Sequence, residues 1–340
     1  MTIDLSPWLP VVPQVVVDRI AAARHVLAVG HENPDADTLG ASLAVGQLVE
    51  AHGGRATYVC NDRPPALYRF MPGIERFRTD PVSDDGYDLL VISDCGTLDR
   101  VGDVGRRHAG LFAELPRVVI DHHVSNDEAA GPWDWIDGAA AATCEMVTLL
   151  AARLGTPLSL GDGGLATALM AGIVMDTATF AHPNATPRTL VVAAALVAAG
   201  APLAEISRLL YRSKADAQLR LYGRVLERLQ TADEGRVIWS TLNDADLATT
   251  GAEAAHGEGI IDLLSQADRA EVAILFKVQG SVVRLSVRTR PGGVDATVLT
   301  GLFGGGGHAR AAGATLETPL AEAQAAVLKE ARRLAAGVRR

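Results

Sequence analysis

The 340-residue sequence has few cysteines, few aromatic residues and no long apolar stretch. Its three cysteines, Cys60, Cys95 and Cys144, show no paired spacing, which argues against a disulfide framework and indicates a reducing compartment. Aromatic residues make up only 4%, and the apolar bulk is alanine, valine and leucine. This composition favours helices packed on a parallel sheet over a β-sandwich. No apolar run reaches the ~18 residues of a membrane span, and no signal peptide is evident, so we expect a cytoplasmic protein without a membrane partner.

Positive charge is also scarce, because 31 lysines and arginines face 40 acidic residues and leave a net charge of −9. Proteins that bind long duplex nucleic acid are usually basic, since phosphate neutralisation dominates their affinity. The negative net charge therefore argues against binding of long duplex nucleic acid. A short single-stranded RNA or small nucleotide can still be held by a few arginines and metal ions. The hydrophobic content of 48% is sufficient for about two domains.

Short β-branched runs alternate with longer helical patterns in the first half of the chain. This alternation predicts an α/β fold whose N-terminal domain contains a doubly wound parallel sheet. After about residue 200 the pattern predicts a smaller α/β domain with a mixed sheet, including a hairpin at Gln279-Gly280. We expect a catalytic domain at residues 1–200, a linker at 201–215, a substrate-binding domain at 216–340, and a cleft between the domains.

Acidic residues and histidines follow three of the predicted strands. His31, Asp35 and Asp37 follow the first, Asp94 follows the third, and Asp121-His122-His123 follow the fourth. In an open parallel sheet, binding sites form where the carboxyl ends of the strands meet. Each cluster also has a simpler interpretation, such as Asp37 capping the next helix or the Asp121 triplet forming a surface turn. Asp176, which closes an apolar helix, needs a cation or a hydrogen-bond shell because burying it unpaired is costly.

Taken together, the clusters contain the ligands for two metal ions, and the candidate ligands are His31, Asp35, Asp37, Asp94, His122 and Asp176. Four carboxylates offset the charge of two divalent cations. A carboxylate-rich site with nitrogen ligands suits Mn²⁺, with Mg²⁺ or Co²⁺ as alternatives. Two such ions roughly 3.5–4 Å apart bind both oxygens of a phosphoryl displacement and activate a hydroxide between them. His123 would then face the phosphate, and Asp121 would orient the histidines.

These motifs, in this order, resemble those of the DHH phosphoesterase superfamily. His31-x-x-Pro34-Asp35-x-Asp37 resembles its first motif, and Ser93-Asp94 its second. The Asp121 triplet and Gly172-Ile-Val-Met-Asp176-Thr resemble the third and fourth. The stretch Gly304 to Gly313 resembles the signature of the associated DHHA1 domain. The resemblance covers nearly the whole chain and points to the branch of oligoribonucleases and pAp (3′-phosphoadenosine-5′-phosphate) phosphatases, some of which cleave cyclic di-AMP or its linear product.

The resemblance also implies a role for each ligand. Asp94 would bridge the two ions, with one ion held by His31 and Asp35. The other ion would be held by Asp37, His122 and Asp176. The resemblance implies that His123 contacts the scissile phosphate and that the protein is a homodimer.

A glycine-rich run in the second domain is the candidate substrate site. Gly305, Gly306 and Gly307 would turn backbone N–H groups toward an anion, and His308 and Arg310 follow at once. Arg288, from the hairpin, suits bidentate phosphate contacts. Asn33 is a further candidate for substrate contact in the first domain. The alternative is that the glycines form only a flexible turn.

Three functions remain open from the sequence. The first is a metal-dependent phosphoesterase that hydrolyses short oligoribonucleotides (nanoRNA) to 5′-mononucleotides and pAp to AMP. The second is a cyclic di-AMP or pApA phosphodiesterase of the same fold. The third, from a different class, is a non-catalytic nucleotide-binding regulator, which would bind nucleotide without metal-dependent turnover.

Overall fold

The computed structural model describes residues 3–82, 85–123 and 131–337. The chain divides into two compact units, Met1–Ser213 and Lys214–Arg340. The range 201–215, predicted as a linker, contains a helix, and the side chains of its Ile206 and Leu210 lie in the core of the first unit.

The first unit is built on a parallel sheet. Its described strands are β1 (His25–Val29), β2 (Arg55–Val59), β3 (Phe77–Arg78), β4 (Leu89–Ser93), β5 (Arg117–Asp121) and β6 (Trp135–Ile136). Its described α-helices are α1 (Gln14–Ala22), α2 (Ala36–Ala51), α3 (Asp103–Arg107), α4 (Ala109–Glu114), α5 (Thr143–Arg153), α6 (Gly164–Asp176), α7 (Pro187–Ala198) and α8 (Leu203–Tyr211). The strand order is β3-β2-β1-β4-β5-β6, and all neighbours are parallel. This confirms the predicted doubly wound sheet.

Both faces of the sheet are buried at its central strands β1 and β4, which explains why these strands are largely apolar. Val26 and Ala28 of β1 pack in one core cluster, and Leu27 and Val29 pack in another on the opposite face. Strand order reverses between β1 and β4, and ligands bind in the crevice outside the carboxyl ends of strands at such a point. The loops after β1 and β4 are therefore the expected location of a site.

Helix α2 begins earlier than the sequence indicates. The pattern predicts a start at Thr38 with Asp37 as the cap, but the helix begins at Ala36 and its cap is Asp35. The Asp35 carboxylate accepts hydrogen bonds from the backbone N–H groups of Asp37 and Thr38, at 2.9 and 3.2 Å. Asp37 consequently lies inside the first turn and is completely buried.

Within the described ranges, we find no single helix that is long and apolar enough to cross a membrane. Helices α7 and α8, which are bent by 111° relative to each other, pass the same test of length and composition as a pair.

The second unit has a mixed sheet. Its described strands are β7 (Gln230–Ala232), β8 (Val237–Asn243), β9 (Val272–Gln279), β10 (Val282–Thr289), β11 (Gly306–His308) and β12 (Ala311–Leu316). Its described α-helices are α9 (Asp216–Glu227), α10 (Asp244–Thr250), α11 (Ile260–Leu264), α12 (Ala296–Gly301) and α13 (Leu320–Gly337). The strand order is β11-β12-β10-β9-β8-β7, in which β8 and β9 are parallel and the other pairs antiparallel. The mixed sheet and the β9–β10 hairpin confirm the predictions.

The glycine-rich run differs from the open loop predicted for it. Gly306 to His308 form the edge strand β11, paired with β12. The N–H groups of Gly304 and Gly305 donate to the carbonyl oxygens of Gly301 and Thr300, at 3.2 and 2.9 Å, and are not available to an anion. A Cβ at Gly305 would collide with the Gly313 carbonyl oxygen, so close backbone packing also requires glycine there.

Candidate metal centre

The loop after β1 holds His31 with its Nε2 atom directed at carboxylates. The His31 backbone N–H donates to Thr38 Oγ1 at 3.1 Å, and Thr38 Oγ1 donates to the Ser93 carbonyl at 2.9 Å, which ties β1 to β4. His31 Nδ1 lies 2.7 Å from the Glu32 carbonyl oxygen and so carries the proton. Nε2 is left as the ligand atom, 3.5 Å from Asp94 Oδ2 and 3.9 Å from Asp35 Oδ1.

Asp37 is anchored by the N-terminus of α5. Its Oδ2 accepts the N–H of Thr143 at 2.7 Å and its Oδ1 accepts the N–H of Cys144 at 2.9 Å. The first N–H groups of a helix have no partner within the helix and favour an anion. Burial, followed by the nearby carboxylates of Asp94 and Asp176, nevertheless raises the pKa of Asp37 well above its usual value.

Asp94 occupies the centre of the site. It follows β4 with a left-handed backbone φ of 62°, which aspartate tolerates better than most residues. Its two oxygens face different histidines, since Oδ2 lies 3.5 Å from His31 Nε2 and Oδ1 lies 3.5 Å from His122 Nε2. Thr143 Oγ1 donates to Oδ1 at 3.1 Å. Although burial raises the pKa of Asp94, His122 and His31 outweigh it and hold that pKa below its ordinary value.

His122 and Asp176 complete the site from β5 and α6. His122 Nε2 lies 3.1 Å from Asp176 Oδ2. Burial lowers the pKa of His122, but the carboxylates of Asp176 and Asp94 raise it to about 11. Burial raises the pKa of Asp176 to about 6, and Asp94 and Asp35 add to that rise against the influence of His122. The groups thus surround a small region of concentrated negative charge.

The six predicted ligands come together as two sets. His31, Asp35 and Asp94 offer ligand atoms within 4.8 Å of one another, and so do Asp37, His122 and Asp176. Asp94, His122 and His123 form a third, overlapping set by the same measure. Asp94 is thus adjacent to both ends of the centre.

The donor set fits divalent cations. Among the described residues, the buried Nε2 atom of His122 makes no hydrogen bond, although it lies 3.1 Å from Asp176 Oδ2. Crowding several carboxylates around such a nitrogen is costly, and a metal ion would satisfy both kinds of group. Oxygen and imidazole ligands without thiolates suit hard or borderline divalent ions.

His123 differs from the six predicted ligands in its partner. Its Nδ1 atom lies 2.8 Å from Oδ1 of the buried Asp121, and its side chain is 37% exposed. The same nitrogen lies 3.6 Å from Asp94 Oδ1. Because Nδ1 is engaged by Asp121, the ring presents Nε2 to an incoming molecule.

Several supporting residues were not recognised from the sequence. Thr143 holds both Asp94 and Asp37, and Thr38 connects the β1 and β4 loops. Gly172 was seen only as part of a motif, but a Cβ there would collide with Asp37 Oδ1 and Cys144 Sγ and lie 2.8 Å from the Asp37 Cα. A threonine at the start of a helix carries no ligand signature, so only the tertiary structure reveals these contacts.

Substitution of Gly172 by alanine is expected to lower stability and metal affinity together. The added methyl group must displace Asp37 or α5, and overpacking of this kind costs about 1–3 kcal/mol. Thermal unfolding with and without Mn²⁺ measures both effects. Gly223→Ala is the matched control, because nothing lies within 4 Å of a Cβ at that helical position. An unchanged Mn²⁺-dependent stabilisation in Gly172→Ala would contradict the packing argument.

Two of the predicted substrate residues of the second unit, Arg288 and His308, lie on one face of its sheet. His308 of β11 and Arg288 of β10 both pair in register with Ala311 of β12, so the three side chains form one row. Arg288 Nε donates to Asp262 Oδ1 at 2.7 Å, and Arg310 Nη1 donates to the Arg290 carbonyl. The small Ala311 between the Arg288 and His308 side chains leaves room for an anionic group. Asn33 belongs to the first unit. Its side chain is exposed and its backbone φ of 52° is left-handed. Its backbone N–H donates to Asp62 Oδ2 at 2.8 Å.

Comparison with known proteins agrees with this architecture. The profile of the DHH family N-terminal domain matches residues 25–173, and that of the DHHA1 domain matches residues 236–337. The bifunctional oligoribonuclease and PAP phosphatase NrnA of Thermus thermophilus is 33% identical over 290 residues, covering 84% of this chain and 82% of the relative. The cyclic-di-AMP phosphodiesterase PdeA of Listeria monocytogenes is 26% identical over 331 residues, covering 92% of this chain and 48% of the relative.

A solved structure shows the same fold. The exopolyphosphatase-related protein from Bacteroides fragilis superimposes with a TM-score of 0.83 and 19% identity, covering 94% of this chain and 96% of that one. A doubly wound sheet with carboxylates and histidines at its switch point defines the class as a metal-dependent hydrolase. The chain belongs to the DHH/DHHA1 phosphoesterase family and is a phosphoric ester hydrolase. Family membership confirms the resemblance seen in the sequence.

Proposed function

We propose that this protein is a Mn²⁺-dependent phosphoesterase that hydrolyses short oligoribonucleotides to 5′-mononucleotides and pAp to AMP. The observation that carries the proposal is the pair of ligand sets around Asp94, each within 4.8 Å. The relative that supports the substrate class is the NrnA protein of Thermus thermophilus, whose name states both activities.

The residues of the centre are assigned to two metal ions. His31, Asp35 and Asp94 would hold one divalent ion, and Asp37, His122 and Asp176 the other, with Asp94 shared. When bound, two ions supply charge neutralisation for the phosphate and lower the pKa of a water molecule. Thr143 and the α5 N-terminus keep Asp94 and Asp37 oriented.

His123 is the residue proposed to contact the scissile phosphate. Asp121 holds its Nδ1 atom at 2.8 Å and fixes the orientation of the ring. With the ring held in this orientation, its opposite edge is placed to contact a phosphoryl oxygen of the substrate.

We further propose that the second unit binds the part of the substrate that is not cut. The row of Arg288, Ala311 and His308 places an arginine and a histidine on either side of a small residue. Gly305, Gly306 and Gly307 keep this end of the sheet free of side chains, and the edge strand β11 presents an outer row of backbone groups. Arg310 lies beside the row, with its guanidinium held by the Arg290 carbonyl.

Replacing Arg288 or Arg310 by alanine is expected to raise the KM for pAp about tenfold while kcat changes little, because an arginine–phosphate contact contributes binding energy away from the reacting centre. Steady-state kinetics on pAp measures KM and kcat separately. Arg333→Ala is the control, since that exposed arginine pairs with Glu330 of the same helix. An unchanged KM for pAp in both variants would refute the substrate-binding role.

A second candidate substrate is cyclic di-AMP or its linear product pApA. The similarity to PdeA, a cyclic-di-AMP phosphodiesterase, extends over 92% of this chain. The same metal centre and the row of Arg288, Ala311 and His308 would serve either substrate, so the two activities are compatible in one protein.

A substrate panel in Mn²⁺ tests the proposed function. The substrates are pAp, di- to pentaribonucleotides, pApA, cyclic di-AMP and pyrophosphate, with AMP and phosphate as the measured products. We expect turnover of pAp and of short RNA. Nucleotide binding without release of either product would support a non-catalytic regulator and contradict the proposal.

We also propose that the protein works as a cytoplasmic homodimer. The outer face of α7 is apolar, with Leu190 52% exposed and Val197 45% exposed. Contiguous apolar side chains on a helix surface favour association with a partner. Light scattering coupled to size-exclusion chromatography should give twice the 35.6 kDa mass of one chain, and a monomer mass at micromolar concentration would contradict this proposal.

A further inference from the structure

A pocket in the first unit lies beside the metal centre on the same edge of the sheet. It measures about 630 Å³, within the range typical of ligand sites. Its lining includes Arg63, which follows β2, Arg78 at the end of β3, and Arg69 between those strands. Because all strands of this sheet are parallel, these residues lie at the carboxyl edge that also carries His31.

The pocket is connected to the metal-binding loop by hydrogen bonds. Asp62 Oδ2, one residue before Arg63, accepts the N–H of Asn33 at 2.8 Å. Cys60 Sγ donates to the His31 carbonyl at 3.2 Å. The ends of β1 and β3 are two strand spacings apart, roughly 10 Å. A short oligonucleotide whose cleaved phosphate lies at the metal centre could therefore reach this pocket.

The charge of this pocket is unusual for so acidic a chain. Arg63, Arg69 and Arg78 are exposed, and none has an ion-pair partner within the part of the chain that the structure describes. Three other arginines of the same unit are paired with carboxylates, namely Arg55 with Asp85, Arg76 with Glu50 and Arg107 with Asp80. Three guanidinium groups without a carboxylate partner among the described residues attract phosphate electrostatically.

The remaining lining fits a nucleotide rather than a free anion alone. Phe77 is half-buried in the wall and offers an aromatic face, and Pro64 and Pro65 add flat apolar surface. Arginines interleaved with an aromatic ring bind single-stranded nucleic acid without sequence preference. Two acidic residues also line the pocket, and one of them, Asp80, is engaged by Arg107 and His108.

We propose that Arg63, Arg69 and Arg78 form a subsite for the continuing strand of an oligoribonucleotide, and that it is used by substrates of about three nucleotides or more but not by pAp. The inference rests on the proposed function, because it assumes that the cut phosphate lies at the metal centre. It makes the first unit a determinant of chain-length preference as well as of chemistry.

Two measurements test the subsite. The first is fluorescence anisotropy of a 3′-fluorescein pentaadenylate with phosphorothioate linkages, titrated at several salt concentrations. The second is the KM for unlabelled pentaadenylate and for pAp in Mn²⁺. The variants are Arg63→Ala, Arg69→Ala and Arg78→Ala, singly and combined, with Arg69→Lys to keep the charge. Arg153→Ala, at the far end of α5, is the matched control.

The combined variant should bind the pentanucleotide about tenfold more weakly or worse, with a salt slope reduced by about two to three, one for each lost phosphate contact. Arg69→Lys should retain most of the affinity, and the KM for pAp should not change. Unchanged pentanucleotide affinity, or an equal loss on pAp, would overturn the subsite. Wild-type binding that depends on these arginines without any turnover would refute the proposed function and leave the subsite standing.

Discussion

Replacement of Asp94 by asparagine is expected to reduce kcat by about 10³-fold or more on every substrate, because several kcal/mol of transition-state stabilisation depend on correctly held ions. Asparagine keeps the shape of the side chain but removes the charge between His31 and His122. The loss should be equal for pAp and for RNA, since Asp94 acts at the metal centre and not on the variable part of the substrate. Steady-state kinetics and Mn²⁺ titration calorimetry on the same variant measure the effect.

A control from the same loop separates this effect from a general loss of charge. Asp99 is exposed and follows Asp94 by five residues. Asp99→Asn should retain near-normal turnover and Mn²⁺ binding. Turnover by Asp94→Asn within tenfold of the wild type would contradict the bridging assignment.

Replacement of His123 by alanine is expected to lower kcat by about 10²–10⁴-fold while Mn²⁺ binding persists, the range for a positioned proton donor or acceptor. The reason is its position, because Asp121 engages its Nδ1 atom and its ring is 37% exposed. His122→Ala should instead weaken Mn²⁺ binding, since its Nε2 lies between Asp94 and Asp176. The comparison of adjacent histidines tests the division of roles directly.

The outcome that separates these roles is metal affinity. If His123→Ala loses Mn²⁺ as completely as His122→Ala does, His123 is a ligand in the set with Asp94 and His122. Asp121→Asn is the companion variant, and it should reproduce part of the kcat loss without loss of metal, because it weakens the contact that orients the His123 ring.

Much of the first unit could be predicted because its strands have a strong signal. The runs ending at Val29, Val59, Ser93 and Ile120 are rich in β-branched and apolar residues and became β1, β2, β4 and β5. The strands β3 and β6 are only two residues long, too short for any periodicity to indicate them. Their presence matters, since β3 adds the edge on which the Arg78 subsite is proposed.

The start of α2 shows why a local pattern was insufficient. Asp35 and Asp37 are both good capping residues, and Pro34 permits a helix to begin soon after it. The structure selects Asp35 as the cap because Asp37 is held from outside by the N–H groups of α5. A contact between residues more than 100 positions apart decides the boundary.

The glycine-rich run shows the same limit in the second unit. Four consecutive glycines favour a loop by local propensity, yet pairing with β12 makes three residues a strand. The close approach of Gly305 to Gly313 explains the glycine there by packing. The sequence identified the right region and the right cationic neighbours, and only strand register shows that Arg288 and His308 share a row.

The central claim is that one chain holds two divalent ions around Asp94, and Mn²⁺ stoichiometry tests it most directly. Equilibrium dialysis of the metal-free protein against Mn²⁺, with bound metal determined by mass spectrometry, gives the number of ions per chain. The account predicts two for the wild type and fewer than two for Asp94→Asn. A wild-type value of one or none at saturating Mn²⁺, with the protein folded, would contradict it.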